Sequence, residues 1–335
     1  MESRKKLIEY AVCNNAQLTS LDALGLTSDV EKIDLKDCTL LADISFVKQL
    51  PNLQYLTIEN CPCLTDLAIL NDVPSLIKLR LYAMPDLSIL DTLKHNTQII
   101  HLQVVQDYRM FSGFHEKKPN LLYVYIHAAS IKNLKPIVSL PNVVQLRFDY
   151  CSKLSDISDL ANCKNLNEVQ FTNCEILEYT TPLAQLNNLR SLRILYCPRI
   201  KYLNEVLSIK TLEELDLVRC DLIQELIFQP GNQLIDLRLQ DNRQLSKLTN
   251  LHLLTKLKYL MLEQCDSYVE FDALAMIENL EELNMFYLLN LRSKTFTQKL
   301  KKLNVLRIWD YKHKMNFQDG VKTIWPNNDF IPFPL

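Results

Sequence analysis

The stretch Leu189–Cys197 reads LRSLRILYC, a nine-residue frame of the form L-x-x-L-x-L-x-x-C. The frame recurs at spacings of 22 or 23 residues along most of the 335-residue chain. The 14 frames begin at Leu7, Val30, Leu53, Leu76, Ile99, Leu121, Val143, Leu166, Leu189, Leu212, Leu234, Leu257, Leu280 and Leu303. Positions one, four and six are almost always aliphatic, and chance does not hold three apolar columns in phase for about 300 residues. The sequence therefore predicts an array of short repeats.

The second half of each repeat has apolar columns of its own. They fall about 11, 14 and 17 positions after the frame begins, as at Leu64, Leu67 and Leu70. Residues 107–118, residues 291–302 and the segment after Tyr311 break the pattern. The first break fits a tolerated loop or a contact site. We predict one array over residues 1–311 and a C-terminal cap or tail over 312–335, because an open terminal repeat must be covered. A peptide that docks a partner is the alternative for the tail.

The pattern L-x-x-L-x-L-x-x-N/C-x-L with a period of about 20–29 residues resembles the leucine-rich repeat family. The second-half motif, as in Leu64-Thr65-Asp66-Leu67 and Leu154-Ser155-Asp156-Ile157, is similar to that of internalins and of regulatory subunits of type-one protein phosphatase. The resemblance implies an α/β leucine-rich repeat solenoid, a curved right-handed horseshoe of about 14 repeats with a parallel β-sheet on its concave face. The rest of each repeat would be extended or form short 3₁₀ or helical turns.

Composition limits the classes of function. The net charge is −2, which argues against a whole-protein attraction to nucleic acid or to membranes. Only 4 Gly are present, which disfavours glycine-rich phosphate loops and predicts few backbone positions with positive φ. The charged N-terminus lacks the apolar run of a secretory signal, and no apolar run of about 18 residues suggests a membrane span. We expect a reducing compartment, the cytoplasm or alternatively the nucleus.

Position nine of the frame explains most of the cysteines. Seven of the 10 Cys occupy it: Cys38, Cys61, Cys151, Cys174, Cys197, Cys220 and Cys265. The family resemblance implies that this residue points inward and hydrogen-bonds the backbone of the turn. We predict no metal site, because the pair Cys61 and Cys63 has no second pair nearby. The 6 His are scattered and have no evident paired nucleophile, so we predict no catalytic residue, no cofactor and no enzyme activity.

The outward strand positions form the candidate contact surface. Strand alternation predicts that positions three, five and seven face outward on the concave side, with position eight at its rim. Aromatic residues and Arg are frequent there, and these are the usual anchors of protein interfaces. The predicted partner-contacting residues are Tyr55, Arg80, Tyr82, His101, Tyr123, Tyr125, His127, Arg147, Tyr150, Arg193, Tyr196, Tyr259, Phe286, Tyr287, Arg307 and Trp309. We expect a central hot spot at Arg80, Tyr82, Tyr125, Arg147 and Tyr150, and a second one at Phe286 and Trp309.

Charge is uneven along these positions. The middle repeats offer the bases Lys78, Arg80, Arg147 and Arg193 among the tyrosines. The later repeats offer the acids Glu214, Asp216, Asp236, Asp241, Glu263 and Glu282, with Arg219 and Arg238 as partial balance. Over the outward positions of all 14 frames acids outnumber bases, so the charge of this face argues against nucleic acid as the partner.

These features predict a non-enzymatic protein–protein interaction module or scaffold that binds a protein or peptide on its concave face. Three other functions fit the sequence: a permanent structural subunit of a cytoskeletal or ribonucleoprotein assembly, a phosphatase-regulating scaffold, and a secreted or surface receptor of internalin type. Cross-strand Arg–Asp and Tyr ladders that only stabilise the sheet would also explain the same residues.

Overall fold

A computed structural model of the protein describes residues 7–84, 93, 99–106, 120–128, 131–135, 140–291, 295–309 and 322–323. The chain forms two compact units, Met1–Leu166 and Asn167–Leu335. The predicted break at 107–118 lies outside the described residues, as do 292–294 of the second break. The predicted cap over 312–335 also lies outside them, except for residues 322–323.

Unit one is a stack of repeats that each contribute one strand to a parallel sheet. The strands are β1 (Glu9–Cys13), β2 (Lys32–Lys36), β3 (Tyr55–Glu59), β4 (Lys78–Tyr82), β5 (His101–Gln106), β6 (Tyr123–Ala128) and β7 (Gln145–Asp149). They pair in chain order and in register, so each frame position lies beside the same position of the next repeat. Every strand begins at position three of its frame.

Unit two continues the same arrangement. Its strands are β8 (Glu168–Thr172), β9 (Ser191–Leu195), β10 (Glu214–Val218), β11 (Glu225–Ile227), β12 (Asp236–Gln240), β13 (Lys247–Thr249), β14 (Tyr259–Glu263), β15 (Glu282–Phe286), β16 (Val305–Trp309) and β17 (Lys322–Thr323). All except β11 and β13 pair in chain order in a parallel sheet. The strands β11 and β13 form a separate parallel pair in the second halves of their repeats. One parallel strand per repeat confirms the predicted leucine-rich repeat fold class.

Short 3₁₀ helices occupy the second half of many repeats. They span Leu21–Leu24, Ser45–Gln49, Ala68–Asp72 and Ser158–Asn162 in unit one, and Thr181–Gln185, Val206–Ser208, Leu251–Leu253, Phe271–Met276 and Thr295–Lys299 in unit two. The Asp of the second-half motif explains how several of them start. The Oδ1 atom of Asp156 accepts a hydrogen bond from the backbone N of Ser158 at 2.9 Å, and Asp66 does the same for Ala68 at 2.6 Å. A side-chain oxygen thereby satisfies a backbone donor at the first turn.

The apolar columns of the frame form the core. Leu53, Leu56 and Ile58 are at most 1% exposed, and the second-half residues Leu64 and Leu67 are at most 2% exposed. A single repeat could not bury these side chains alone. Stacking the repeats joins them into one continuous apolar interior within each unit, so stability comes from contacts between neighbouring repeats.

At position nine, Cys197 and Asn242 point inward and hydrogen-bond the backbone, as the family resemblance implies, and they also reach the preceding repeat. The Sγ atom of Cys197 lies 3.4 Å from the carbonyl O of Leu195 and 3.9 Å from that of Phe171 in the preceding repeat. Asn242 occupies the same place with an amide: its Nδ2 donates to the carbonyl O of Leu217 at 2.8 Å. Burial raises the pKa of the Cys265 thiol to about 12, so the sulfur keeps the proton with which it donates.

The residue at position eight has a left-handed backbone in 11 described repeats, and none of these residues is Gly. They are Asn14, Asp37, Asn60, Ala83, Tyr150, Asn173, Tyr196, Arg219, Asp241, Gln264 and Tyr287, with φ between 48 and 57°. The expectation of few positive-φ positions, drawn from the low Gly content, is therefore wrong. The turn needs this conformation because position eight still donates its backbone N–H to the next strand, as from Tyr196 to the carbonyl O of Val218 at 2.7 Å.

Candidate functional site

Strand register brings the predicted contact residues of unit one into rows. At position three, Tyr55, Lys78, His101 and Tyr123 follow one another across β3 to β6. At position five the row is Thr57, Arg80, Gln103, Tyr125 and Arg147, and at position seven Tyr82 precedes Val105, His127 and Asp149. The side chains of positions three and five in these rows are half-buried, whereas the described side chains of positions four and six are buried. The predicted alternation is therefore present on this face.

One group of contact candidates is already engaged with its neighbours. We call Tyr125, His127, Asp149 and Tyr150 the tyrosine–aspartate cluster. The hydroxyl of Tyr125 donates to Oδ2 of Asp149 at 2.8 Å, and Nδ1 of His127 lies 3.9 Å from the same oxygen. The ring of His127 stacks on Tyr150 with centroids 4.9 Å apart. Burial and the Asp149 carboxylate raise the pKa of Tyr125, so this phenol stays protonated and its ring is held in a fixed position.

A second group contains two cationic side chains and a histidine. We call Lys78, Arg80 and His101 the basic cluster. Lys78 and Arg80 lie two residues apart on β4, and His101 is the register partner of Lys78 on β5. The His101 ring stacks on Tyr123 at a centroid distance of 4.2 Å. Burial lowers the pKa of Lys78 and of His101, and positive neighbours lower it further, Arg80 for Lys78 and both bases for His101.

A shallow depression adjoins the basic cluster. Its volume is about 200 Å³, and its lining includes Lys32, Tyr55, Thr57, Lys78 and Arg80. Lys78 is not among the 16 residues predicted for partner contact, although the sequence places it at an outward position beside Arg80. The depression is too open to enclose a small molecule and is a dent in the outward face of the sheet.

In unit two, several predicted contact residues form ladders across the strands. The guanidinium of Arg219 lies over the ring of Tyr196 at 5.5 Å, and that of Arg238 lies over Tyr259 at 5.1 Å. Arg307 binds the carboxylate of Glu282. These contacts stabilise the sheet itself, as the ladder explanation expects, and they leave these residues less free to bind a partner.

The remaining candidates of unit two differ in setting. Arg193 is half-buried and is the register partner of Asp216. Phe286 is half-buried and is the register partner of Trp309, whose side chain lies outside the described part of the chain. Tyr287 is half-buried and has the left-handed backbone of position eight, with a φ of 54°. Phe286 and Trp309 are thus neighbours on adjacent strands, while the second hot spot stays a prediction.

Acidic groups in unit two are perturbed by burial. Burial raises the pKa of Asp216, although Arg238 and Arg193 partly oppose that shift. Burial also raises the pKa of Glu263, and the nearby Asp241 carboxylate adds to the effect. Among the described residues, no group of three or more His, Cys, Asp or Glu side chains has the geometry to hold a metal ion. None of the described helices is long and apolar enough to cross a membrane.

Comparison with known proteins adds the fold and little more. No family model matches the sequence, and no curated protein is significantly similar to it. Solved structures that resemble the chain include a leucine-rich repeat protein of Leptospira interrogans, 15% identical, with a TM-score of 0.52 over 90% of this chain and 83% of that chain. The internalin inlF of Listeria monocytogenes is 17% identical, with a TM-score of 0.49 over 92% of this chain and 88% of that one. The internalin inlC2 of the same species is 24% identical, with a TM-score of 0.39 over 54% of this chain and 77% of that one.

The likeness to the Leptospira protein agrees with the fold described above. The chain is a leucine-rich repeat protein in its architecture: one parallel strand per repeat in the main sheet, aliphatic columns inside, and Cys or Asn at position nine of most repeats. At 15% identity this likeness concerns the fold alone and carries no partner from one protein to the other.

Proposed function

We propose that this chain is a non-enzymatic protein-binding module whose partner contacts the outward side chains of β3 to β6. One observation carries the proposal. Four half-buried side chains lie together on β3 and β4: Tyr55, Lys78, Arg80 and Tyr82. These side chains make no hydrogen bond or ion pair with any residue that the structure describes. Tyrosine and arginine in such a setting are typical anchors of a protein interface.

The mechanism is presentation on a preordered surface. The strands hold the backbone of these residues in place before any partner arrives, so little conformational entropy is lost on binding. The tyrosine–aspartate cluster next to them fixes the Tyr125 ring and provides a rigid border. The partner would bury the rings of Tyr55 and Tyr82, and charge would set its register.

Quantitative affinity purification tests this proposal. The intact protein, immobilised, is exposed to an extract of its source cells, and the retained proteins are measured by mass spectrometry. We expect a double variant, Tyr55→Ala with Tyr82→Ala, to lose partners that the wild type retains. The matched control is Tyr179→Ala with Tyr202→Ala, which removes two tyrosines that are 64% and 69% exposed and lie outside the strands.

The Tyr125 and Arg147 positions provide a second arm of this test. We expect Tyr125→Ala with Arg147→Ala also to reduce retention of the same proteins, because both residues continue the row to which Arg80 belongs. Circular dichroism of each variant confirms that it is folded. If all retained proteins stay unchanged in both strand-face variants while the folds are intact, the proposal is wrong.

We further propose that the protein works in a reducing compartment, the cytoplasm or the nucleus. All 10 Cys are free thiols, and 8 of them are buried. A thiol count on protein isolated from its source without reductant, under denaturing conditions, tests this proposal. We expect ten reactive thiols, and a substantially lower count would favour the secreted-receptor alternative.

One observation favours a second candidate function, a permanent subunit of a larger assembly. Unit two exposes large apolar side chains outside its strands, including Val269 at 60%, Met276 at 53% and Leu289 at 71%. Apolar side chains that a partner covers permanently would have this appearance in the isolated chain. Size-exclusion chromatography with light scattering on native material separates the two functions, because a free module elutes near 39.0 kDa and a subunit does not.

A further inference from the structure

The outward face of β4 carries two positive side chains, Lys78 and Arg80, whose register partners on the adjoining strands have no carboxylate. Lys78 and Arg80 are two residues apart, so their side chains leave the same face of the sheet. Their register partners are Tyr55 and Thr57 on β3, and His101 and Gln103 on β5. None of these four partners carries a carboxylate.

The carboxylates described on nearby strands are paired with other lysines. Asp34, two strands away, lies 2.8 Å from Nζ of Lys32, and Glu59, at position seven of β3, lies 2.6 Å from Nζ of Lys36. Among the residues that the structure describes, no acidic side chain comes within ion-pair distance of Lys78 or Arg80. The positive charge of β4 is therefore uncompensated inside the described part of the chain.

The Arg80 guanidinium also lacks a hydrogen-bond acceptor in the part of the chain that the structure describes. Its Nε atom is shielded from solvent and has no acceptor among the described residues. A buried donor without an acceptor is unusual in folded proteins and calls for an explanation. The lowered pKa of Lys78, caused by burial and by Arg80, agrees with two cations held close together without a counter-charge.

We propose that Lys78, Arg80 and His101 bind a carboxylate side chain of an acidic segment in the protein partner. The proposal rests on the proposed function and names the chemistry of the partner at that surface. The carboxylate accepts from the Arg80 guanidinium, which is suited to planar oxyanions, and from the Lys78 ammonium. The rings of Tyr55 and Tyr82 flank the site and exclude water from the contact.

The surroundings favour a short acidic segment over a nucleic acid. The depression beside the basic cluster has Glu9 in its lining, and Asp34 and Glu59 lie on nearby strands. A phosphate backbone that ran along the rows would meet these carboxylates within a few strands. A peptide carries its carboxylates on flexible side chains, so one or two of them can reach the cluster while the others turn away from these acids.

Fluorescence anisotropy with a labelled octaglutamate peptide tests the proposal on the intact chain. We expect saturable binding to the wild type, weaker binding at higher salt, and no comparable binding of labelled octaglutamine. Arg80→Gln should weaken octaglutamate binding about tenfold or more, and Arg80→Lys should weaken it less. The matched control is Arg238→Gln: Arg238 holds the same frame position in unit two, but its Nη2 already binds Asp236 at 2.7 Å, so we expect no change.

Three results would overturn the proposal. The first is equal affinity of octaglutamate for wild type and a folded Arg80→Gln variant. The second is an effect of Arg238→Gln as large as that of Arg80→Gln, which would indicate unspecific attraction. The third is tighter binding of an eight-nucleotide oligothymidylate or of inorganic phosphate than of octaglutamate, which would assign the site to phosphate.

The outcomes also separate this inference from the proposed function. If Tyr55→Ala with Tyr82→Ala loses partners from the extract while octaglutamate binds wild type and Arg80→Gln equally, the protein-binding surface stands and the carboxylate site falls. If Arg80→Gln loses octaglutamate while both strand-face variants keep every partner, the carboxylate site stands as an anion site and the proposed surface falls.

Discussion

Tyr196 illustrates how this fold uses single residues. Its backbone has a φ of 57°, and its N–H still reaches the next strand. Its ring lies under the Arg219 guanidinium. Left-handed backbone costs about 1–2 kcal/mol for a residue with a Cβ atom. Each described repeat with this turn nevertheless adopts it, and the conformation turns the chain inward while a side chain stays at the rim.

The position-eight strain makes a prediction at Ala83, whose φ is 48° and whose side chain is exposed. Ala83→Gly should raise the free energy of unfolding by about 0.5–1 kcal/mol, because relief of strain exceeds the added freedom of the unfolded chain. The control is Ala11→Gly in the middle of β1, which has no left-handed backbone and should lower stability by a similar amount. Urea denaturation measures both. A loss of stability at Ala83→Gly would contradict the strain argument.

The half-buried carboxyl of Asp216 makes a pH-dependent prediction. Its folded-state pKa is raised, mainly by burial, so the folded protein binds this proton more tightly than the unfolded chain does. The charged form therefore lowers stability at pH 7, and this loss disappears as the pH falls through the raised pKa. We expect Asp216→Asn to be more stable than wild type at pH 7, with a difference that narrows toward pH 4.

Urea denaturation at a series of pH values measures the Asp216 effect. Asp236→Asn is the matched control, because Asp236 lies on the adjacent strand and its carboxylate binds Arg238. We expect no gain in stability from that control. A wild type at least as stable as Asp216→Asn at pH 7 would mean that Arg193 and Arg238 fully compensate the half-buried charge.

At the scale of the element, the turn after each strand depends on position nine. Asn242 makes two buried hydrogen bonds, to the carbonyl O of Leu217 at 2.8 Å and from the backbone N of Cys220 at 2.9 Å. Asn242→Ala should destabilise the protein by about 3 kcal/mol, because both backbone groups lose their partners in the interior. Asn242→Cys should cost less, since Cys fills this place in other repeats. Denaturant unfolding that ranks Cys with Ala would contradict this role.

The elements also show what the sequence could predict. The strand positions follow from burial that repeats in the frames: β9 begins at Ser191, the third residue of LRSLRILYC, and the strands of the other 13 frames also begin at position three, whereas β17 lies beyond the last frame. Periodic burial cannot distinguish β11 and β13 from the 3₁₀ helices of other repeats, because both bury the same columns. Pairing between Glu225 and Lys247, whose side chains lie 3.2 Å apart, depends on contact between two repeats.

The positions of the candidate site residues could be predicted from the sequence, but their interactions with neighbouring side chains could not. Alternation placed Arg80 and Arg307 at the same frame position, and the structure confirms that both lie on their strand faces. It also shows that Arg307 is bound to Glu282 whereas Arg80 has no described carboxylate near it. That difference depends on which side chains meet across strands, and a one-dimensional pattern does not contain it. For the same reason the sequence did not single out Lys78 as a contact residue, and its place in the basic cluster became evident only from the side chains around it.

For the whole molecule, stacking makes stability a local property. Most contacts join neighbouring repeats, so damage in one repeat should spread over its neighbours and fade with distance. We predict that Leu56→Ala in β3, which costs about 2–5 kcal/mol, accelerates amide hydrogen exchange in β2 to β4 and leaves β14 and β15 nearly unchanged. Leu260→Ala, at the same frame position in unit two, is the control and should show the reverse pattern. Uniform acceleration over the chain would indicate a single cooperative unit.

The buried cysteines provide a way to measure how often individual repeats open. Cys13 and Cys63 are exposed, whereas Cys38, Cys61, Cys151, Cys163, Cys174, Cys197, Cys220 and Cys265 are buried. An alkylating reagent must wait for a repeat to open before it can reach one of these sulfurs. The rate at which the reagent labels each cysteine would then report how often the repeat that contains it opens, without any engineered probe.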